Sequence, residues 1–187
     1  MTSITRQYPN IVKWLKAARA AALKERGTFH IGTEEDYTYI TDGIFALRIP
    51  AAQISDWQAV VNLAPIKEQM MNATLRETLS RILVPSSFDV ILLDTSVLAH
   101  VKCQADEPLC RVYALQKAPY VIRENHAASL REIGGPAVVQ EALGSGSTYP
   151  ARVEASEGLA ALALPIRLDR DPRLERILIA AANAAVD

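Results

Sequence analysis

Between residues 10 and 27 apolar side chains return every three or four positions. Ile11, Trp14, Leu15, Ala18 and Ala22 share one face, and Lys13, Lys16 and Lys24 share another, with Arg19 and Arg26 nearby. This period predicts an amphipathic helix with Asn10 as its N-cap and Gly27 as its stop. The period then shortens to two. "TFHIG", "YTYIT" and "IFALRIP" read as strands, and Asp42-Gly43 between the last two marks a hairpin, because both residues tolerate positive φ. Residues 51 to 65 predict loop with a short helix. "IKEQMMNATLRETLSRIL" returns to a helical period and is ended by Pro85. From residue 88 "FDVILLD", "VLAHVKCQ", "CRVYALQ" and "YVIR" are extended, with "DTS" and "ADEPL" as turns. "ENHAASLREI" predicts a helix closed by Gly134-Gly135-Pro136. "AVVQEAL" and "ARVEA" are strands flanking the Gly/Ser-rich loop "GSGSTYP", and "GLAALALPIRL" is the last strand. "DPRLERILIAAANAAV" predicts a terminal helix over 171–186, with Asp171 as N-cap and Pro172 in its first turn. Its nearly unbroken apolar and small residues require burial against the domain or against another chain.

One phrase occurs twice. "TDGIFALRIP" (41–50) matches "SEGLAALALP" (156–165), with Gly43 on Gly158, Ala46 on Ala161, Leu47 on Leu162 and Pro50 on Pro165. Each copy closes a run of helix, strand, strand, turn and strand, so an internal duplication is the economical reading. Two such copies of a helix followed by antiparallel strands predict a pseudo-two-fold α+β fold, with antiparallel sheets and helices on one side. The division predicted is one domain over 1–187. Half 1 covers about 8–65, a connecting helix and strands 66–116, half 2 about 117–168, and the C-terminal helix follows.

On these features the chain resembles one domain of the bacterial DNA sliding clamp, the polymerase III β subunit, over roughly residues 8 to 168. That family carries a "TDGHRL" segment, and Thr41-Asp42-Gly43-Ile44-Phe45-Ala46-Leu47 stands in its style. The family ends on "MPMRL", and Leu164-Pro165-Ile166-Arg167-Leu168 looks like it. The resemblance implies a DNA-clamp-like α+β fold of duplicated βαβββ halves, serving as a non-enzymatic scaffold associated with DNA or replication. It would contact the backbone of double-stranded DNA through Lys13, Lys16, Arg19 and Lys24. A partner pocket at Thr41, Gly43, Leu47, Pro165, Ile166, Arg167 and Leu168 would take replication proteins or a short peptide. Such a domain would work alone or as a homo-oligomer. There are departures. Ile44-Phe45 replace the family's His-Arg, and the chain has room for one domain where the clamp has three. Both phrases fall in one domain and need not meet, and a helix follows "PIRL" where the family chain stops. A clamp-like protein-interaction module without DNA contact is the alternative.

Charge and composition narrow the rest. The net charge is −1, so any attraction to nucleic acid rests on a local patch. Residues 11 to 26 supply one, with five basic residues against the single acid Glu25. No aromatic residue interleaves with these lysines, so stacking on single strands is not indicated. His30, His100 and His126 lie far apart and form no metal spacing. Cys103 and Cys110 read as reduced core thiols, and strand alternation separates His100 from Cys103. No cofactor, metal or catalytic set is expected. Without an apolar signal core or a spanning run, a cytoplasmic, non-membrane protein is expected.

Overall fold

The computed structural model describes residues 3–66, 70–82, 89–92, 97–101, 109–114, 119–135, 137–140 and 150–166. Helices α1 (Ser3–Gln7) and α2 (Pro9–Ala22) lead into strands β1 (His30–Glu34), β2 (Tyr37–Thr41) and β3 (Phe45–Pro50). A 3-10 turn (Ala51–Gln53), α3 (Ile54–Gln58) and α4 (Ala73–Ile82) follow. Then come β4 (Asp89–Leu92), β5 (Val97–Val101), β6 (Cys110–Ala114) and β7 (Pro119–Arg123). The order closes with α5 (Glu124–Glu132), β8 (Ala137–Gln140), β9 (Ala151–Glu154) and β10 (Ala160–Ala163). The class is α+β, as the patterning predicts. The predicted terminal helix at 171–186 lies outside the described residues.

Seven strands form one antiparallel sheet in the order β1-β2-β3-β10-β9-β8-β4, and β5-β6-β7 form a second sheet. Alternation along the central strands divides the large sheet into two apolar faces. Phe45, Leu47 and Ile49 of β3, Ile40 of β2, Val153 of β9, and Ala161 and Ala163 of β10 point to one face. There they meet Ile11, Trp14, Leu15 and Ala18 of α2, and Ala127 and Leu130 of α5. Ala46, Tyr39, Ala160 and Leu162 point to the other, where Met71 and Leu79 cover them. Helices therefore pack on both faces, which corrects the expectation of helices on one side. An apolar second face needs a cover, and α4 supplies it. Two backbone features bring α4 in. Gly32 leaves room for the Met71 and Arg76 side chains, whose atoms lie 2.9 and 3.1 Å from where a Cβ would sit. Met71 N donates to Ile31 O (3.1 Å) and Arg76 Nη1 to Thr33 O (3.0 Å), so the segment lies along β1.

Helix boundaries depart from the sequence signals for identifiable reasons. Asn10 is inside α2 rather than its cap, because Pro9 opens the helix. The orphan donors of that first turn go to Glu132 of α5. Its carboxylate accepts from Asn10 N (2.8 and 3.1 Å), Ile11 N (3.0 Å) and Asn10 Nδ2 (2.5 Å). At the other end the chain turns before Gly27. Arg26 N donates to Ala21 O (2.9 Å) and Glu25 N to Ala22 O (3.0 Å), with Glu25 at φ +56°, a Schellman closure with a non-glycine at the left-handed position. The helix expected from Ile66 begins only at Ala73. Asn72 Oδ1 caps it by accepting from Leu75 N (2.8 Å), and residues 70–71 are extended beside β1.

The repeated phrase needs a correction of register. Both glycines hold left-handed turns, Gly43 at φ +88° and Gly158 at φ +82°. The turns differ in length, however. Asp42 N donates to Phe45 O across Gly43-Ile44, whereas Ala155 N donates to Leu159 O across Ser156-Glu157-Gly158. One extra residue inverts the facing of everything after it. Leu47 lies in the core beneath α2 and α5, and its sequence match Leu162 lies on the opposite face. The pairs that share a face are Phe45 with Leu159, Leu47 with Ala161 and Ile49 with Ala163, one position off the sequence match.

Candidate functional site

The basic face of α2 is smaller than its sequence suggests. Lys13 and Lys16 are exposed on the outer side of the helix, followed by exposed Ala17 and Ala20. Arg19 is half-buried. Its Nη1 donates to Ala64 O (2.6 Å), and its guanidinium sits 5.7 Å over the Phe29 ring. It pins the 59–64 loop rather than pointing outward. Lys24 is exposed, but it belongs to the turn after Ala22. Beside α2, antiparallel by the Glu132 contact, α5 presents exposed Arg131 with Glu124 3.8 Å away, and its Glu132 is spent on the start of α2.

The two phrases assigned to a partner pocket do meet. Because β3 and β10 are neighbours, Leu164 N donates to Ile44 O (2.8 Å), and Ile166 N then donates to Val121 O of β7 (2.8 Å). Ile44, Pro165 and Ile166 are half-buried there, and Leu164 is 39% exposed. Thr41 and Gly43 build the turn itself: Thr41 Oγ1 donates to Phe45 O (2.8 Å) and accepts from Gly43 N (3.0 Å). Leu47 is fully buried and belongs to the core, out of reach of a partner. Arg167 and Leu168 lie outside the described residues.

Behind the turn, Asp42 is a hub. Its Oδ1 accepts from Ile44 N (2.9 Å) and Phe45 N (2.8 Å), its Oδ2 from Trp14 Nε1 (2.7 Å), and its carbonyl from Thr28 Oγ1 (2.7 Å). The Phe45 ring lies 4.7 Å from Trp14 and 5.3 Å from the His126 ring of α5. His126 is 3% exposed, and its Nδ1 has no hydrogen-bond partner among the described residues. Burial pushes its pKa down to about 4; Asp42 opposes this and Arg123 adds to it. In sequence this histidine forms no metal spacing with His30 or His100. Its position follows from the helical spacing His126, Ala127 and Leu130, which puts the ring on the core side.

A second polar group went unread. Arg48, on the α4 side of the sheet, pairs with Glu154 across the small Ala160, donates to Gly158 O through Nε (3.2 Å) and Nη2 (3.1 Å), and lies 4.6 Å over the Tyr37 ring. The guanidinium thus ties the second turn to β2. The signal in sequence was a lone arginine among apolar residues in "FALRIP".

Among the described residues no group of three His, Cys, Asp or Glu side chains could hold a metal ion, and Cys110 is buried. No described helix is long and apolar enough to cross a membrane. No protein-family model matches the chain, and comparison with curated proteins and with solved structures gives no match.

Proposed function

We propose that the chain is a non-enzymatic scaffold domain of sliding-clamp-like, duplicated topology whose helix layer rests on the backbone of double-stranded DNA. The observation that carries this reading is the twofold use of one arrangement. The order α2-β1-β2-β3 recurs as α5-β8-β9-β10, the last strands of the two runs are neighbours, and α2 and α5 lie side by side on the same sheet face. The face-preserving pairs given above fit that duplication, with one residue inserted in the second turn. Lys13 and Lys16 then stand on the outer surface of the helix layer. Two lysines neutralising two phosphates give a weak contact, independent of sequence, whose log affinity falls with log salt at a slope of about −2. The half-buried Ile44, Pro165 and Ile166 are where a partner peptide would dock.

A second reading, a protein-interaction module without DNA contact, is favoured by the pinning of Arg19 and by Glu124 on the neighbouring helix. One experiment separates them. On the first reading, immobilised double-stranded DNA retains the protein at low salt and releases it as salt rises. The double variant Lys13→Glu, Lys16→Glu is then folded but not retained. Absence of retention by the native protein at low salt removes the DNA reading and leaves the second.

A further inference from the structure

We propose that the junction of α5 and the Asp42–Phe45 turn is a pH-operated latch, in which a proton on the His126 ring releases α5 from the turn while the sheet stays folded. The inference does not depend on what the helix layer contacts.

The geometry gives an incoming proton no good home. The His126 ring is enclosed against Phe45, and its Nδ1 is buried without a partner among the described residues, so the imidazolium would have a desolvated, unsatisfied N–H. The charged groups acting on it are Asp42 from the turn and Arg123 from the end of β7, while α2 contributes the uncharged Trp14 to the junction. Arg123 is unfavourable to a second positive charge. Asp42 is favourable, but its carboxylate already holds Ile44 N, Phe45 N and Trp14 Nε1, three of about four acceptor sites. An imidazolium that draws Asp42 toward itself competes with those three donors. That move undoes the turn's own bonds and frees the indole of α2. The alternative is for α5 to lift and expose His126 to water. Only the second hydrates the charge, and it parts α5 from the turn. The strands of the sheet are paired with one another through the β2–β3–β10–β9 ladders.

The sign follows from the buried ring's depressed pKa of about 4 against 6.5 in an open, solvated state. Above pH 6.5 the latch is closed at full strength, and closure weakens as pH falls from 6.5 through 4. Between pH 7 and pH 5 the open population should rise about 20-fold. Amide hydrogen exchange resolved by residue, corrected for the intrinsic pH dependence of exchange, reads this directly. The α5 amides should show that rise while those of β3 and β10 do not, and His126→Leu should remove it. If α5 opening is unchanged between the two pH values, or rises as much in the leucine variant, the latch is refuted. Should that variant fail to fold, NMR titration of the native His126 ring decides: protonation without α5 opening overturns the proposal, and protonation coupled to opening supports it.

Discussion

Replacing Glu132 by alanine tests how the two core helices are joined. In the native chain its carboxylate takes both first-turn amides of α2 at Asn10 and Ile11, together with the Asn10 side chain. Losing a side-chain cap at a helix N-terminus costs roughly 0.5–2 kcal/mol. Losing a negative charge there adds about 0.3–1 kcal/mol. Water can replace the bonds at exposed Asn10, but the Ile11 amide is partly buried and is rehydrated less well. The expected loss is therefore about 2 kcal/mol. In a chain of this length it lowers the melting midpoint by about 6 °C, at 2–4 °C per kcal/mol. Glu132→Gln should lose about half as much, because one acceptor remains while the charge and the second acceptor go. Thermal unfolding by circular dichroism, with urea titration as a check, measures both. A Glu132→Ala protein within 0.5 kcal/mol of the native one would show that the carboxylate does not close the helix, and the account of the α2–α5 contact would fail.

Glu25→Gly should stabilise the protein by about 0.5–1 kcal/mol, since glycine relieves the left-handed backbone at φ +56° in the Schellman turn; a lowered urea midpoint would contradict this. Gly43→Ala should cost about 1 kcal/mol from strain at φ +88° alone, because the nearest atom to a new Cβ is Thr28 Oγ1 at 3.7 Å; an unchanged midpoint would remove the turn assignment. Gly135→Ala should cost more, on the order of 2–3 kcal/mol, because its Cβ would lie 2.4 Å from Glu154 O and either α5 or β9 must move; poor expression with retained stability on purification would point elsewhere.

Local periodicity made most elements legible. The stripe Ile11, Trp14, Leu15, Ala18 and Ala22 is the buried face of α2, and the period-two runs are β1 to β3. What failed is what depends on distant partners. Asn10 looked like a cap although Pro9 before it marks the first helical position, and nothing local reveals that the first-turn amides go to a carboxylate 122 residues away. The apolar run from Ile66 looked helical because the sequence does not say that Met70 and Met71 lie beside β1. The repeated phrase aligned on its glycines, and one inserted residue reversed the faces behind it. That reversal is invisible to residue similarity, since Ala and Leu are acceptable on both apolar faces of this sheet. At the candidate site, exposure of Lys13 and Lys16 was readable from helical phase. The pinning of Arg19 by Ala64 was not.

The segment lying along β1 bears on how the molecule can associate. β1 is the last strand of the large sheet, and an open outer strand offers its outward carbonyls to any passing chain. Here two of those carbonyls are taken, Ile31 O by Met71 N and Thr33 O by Arg76 Nη1. A strand arriving from another molecule would have to evict the start of α4, which would also strip Met71 and Leu79 from the apolar face they cover. Strand addition at this border is therefore coupled to uncovering the core, so β1 is guarded against edge-to-edge growth as long as α4 stays seated.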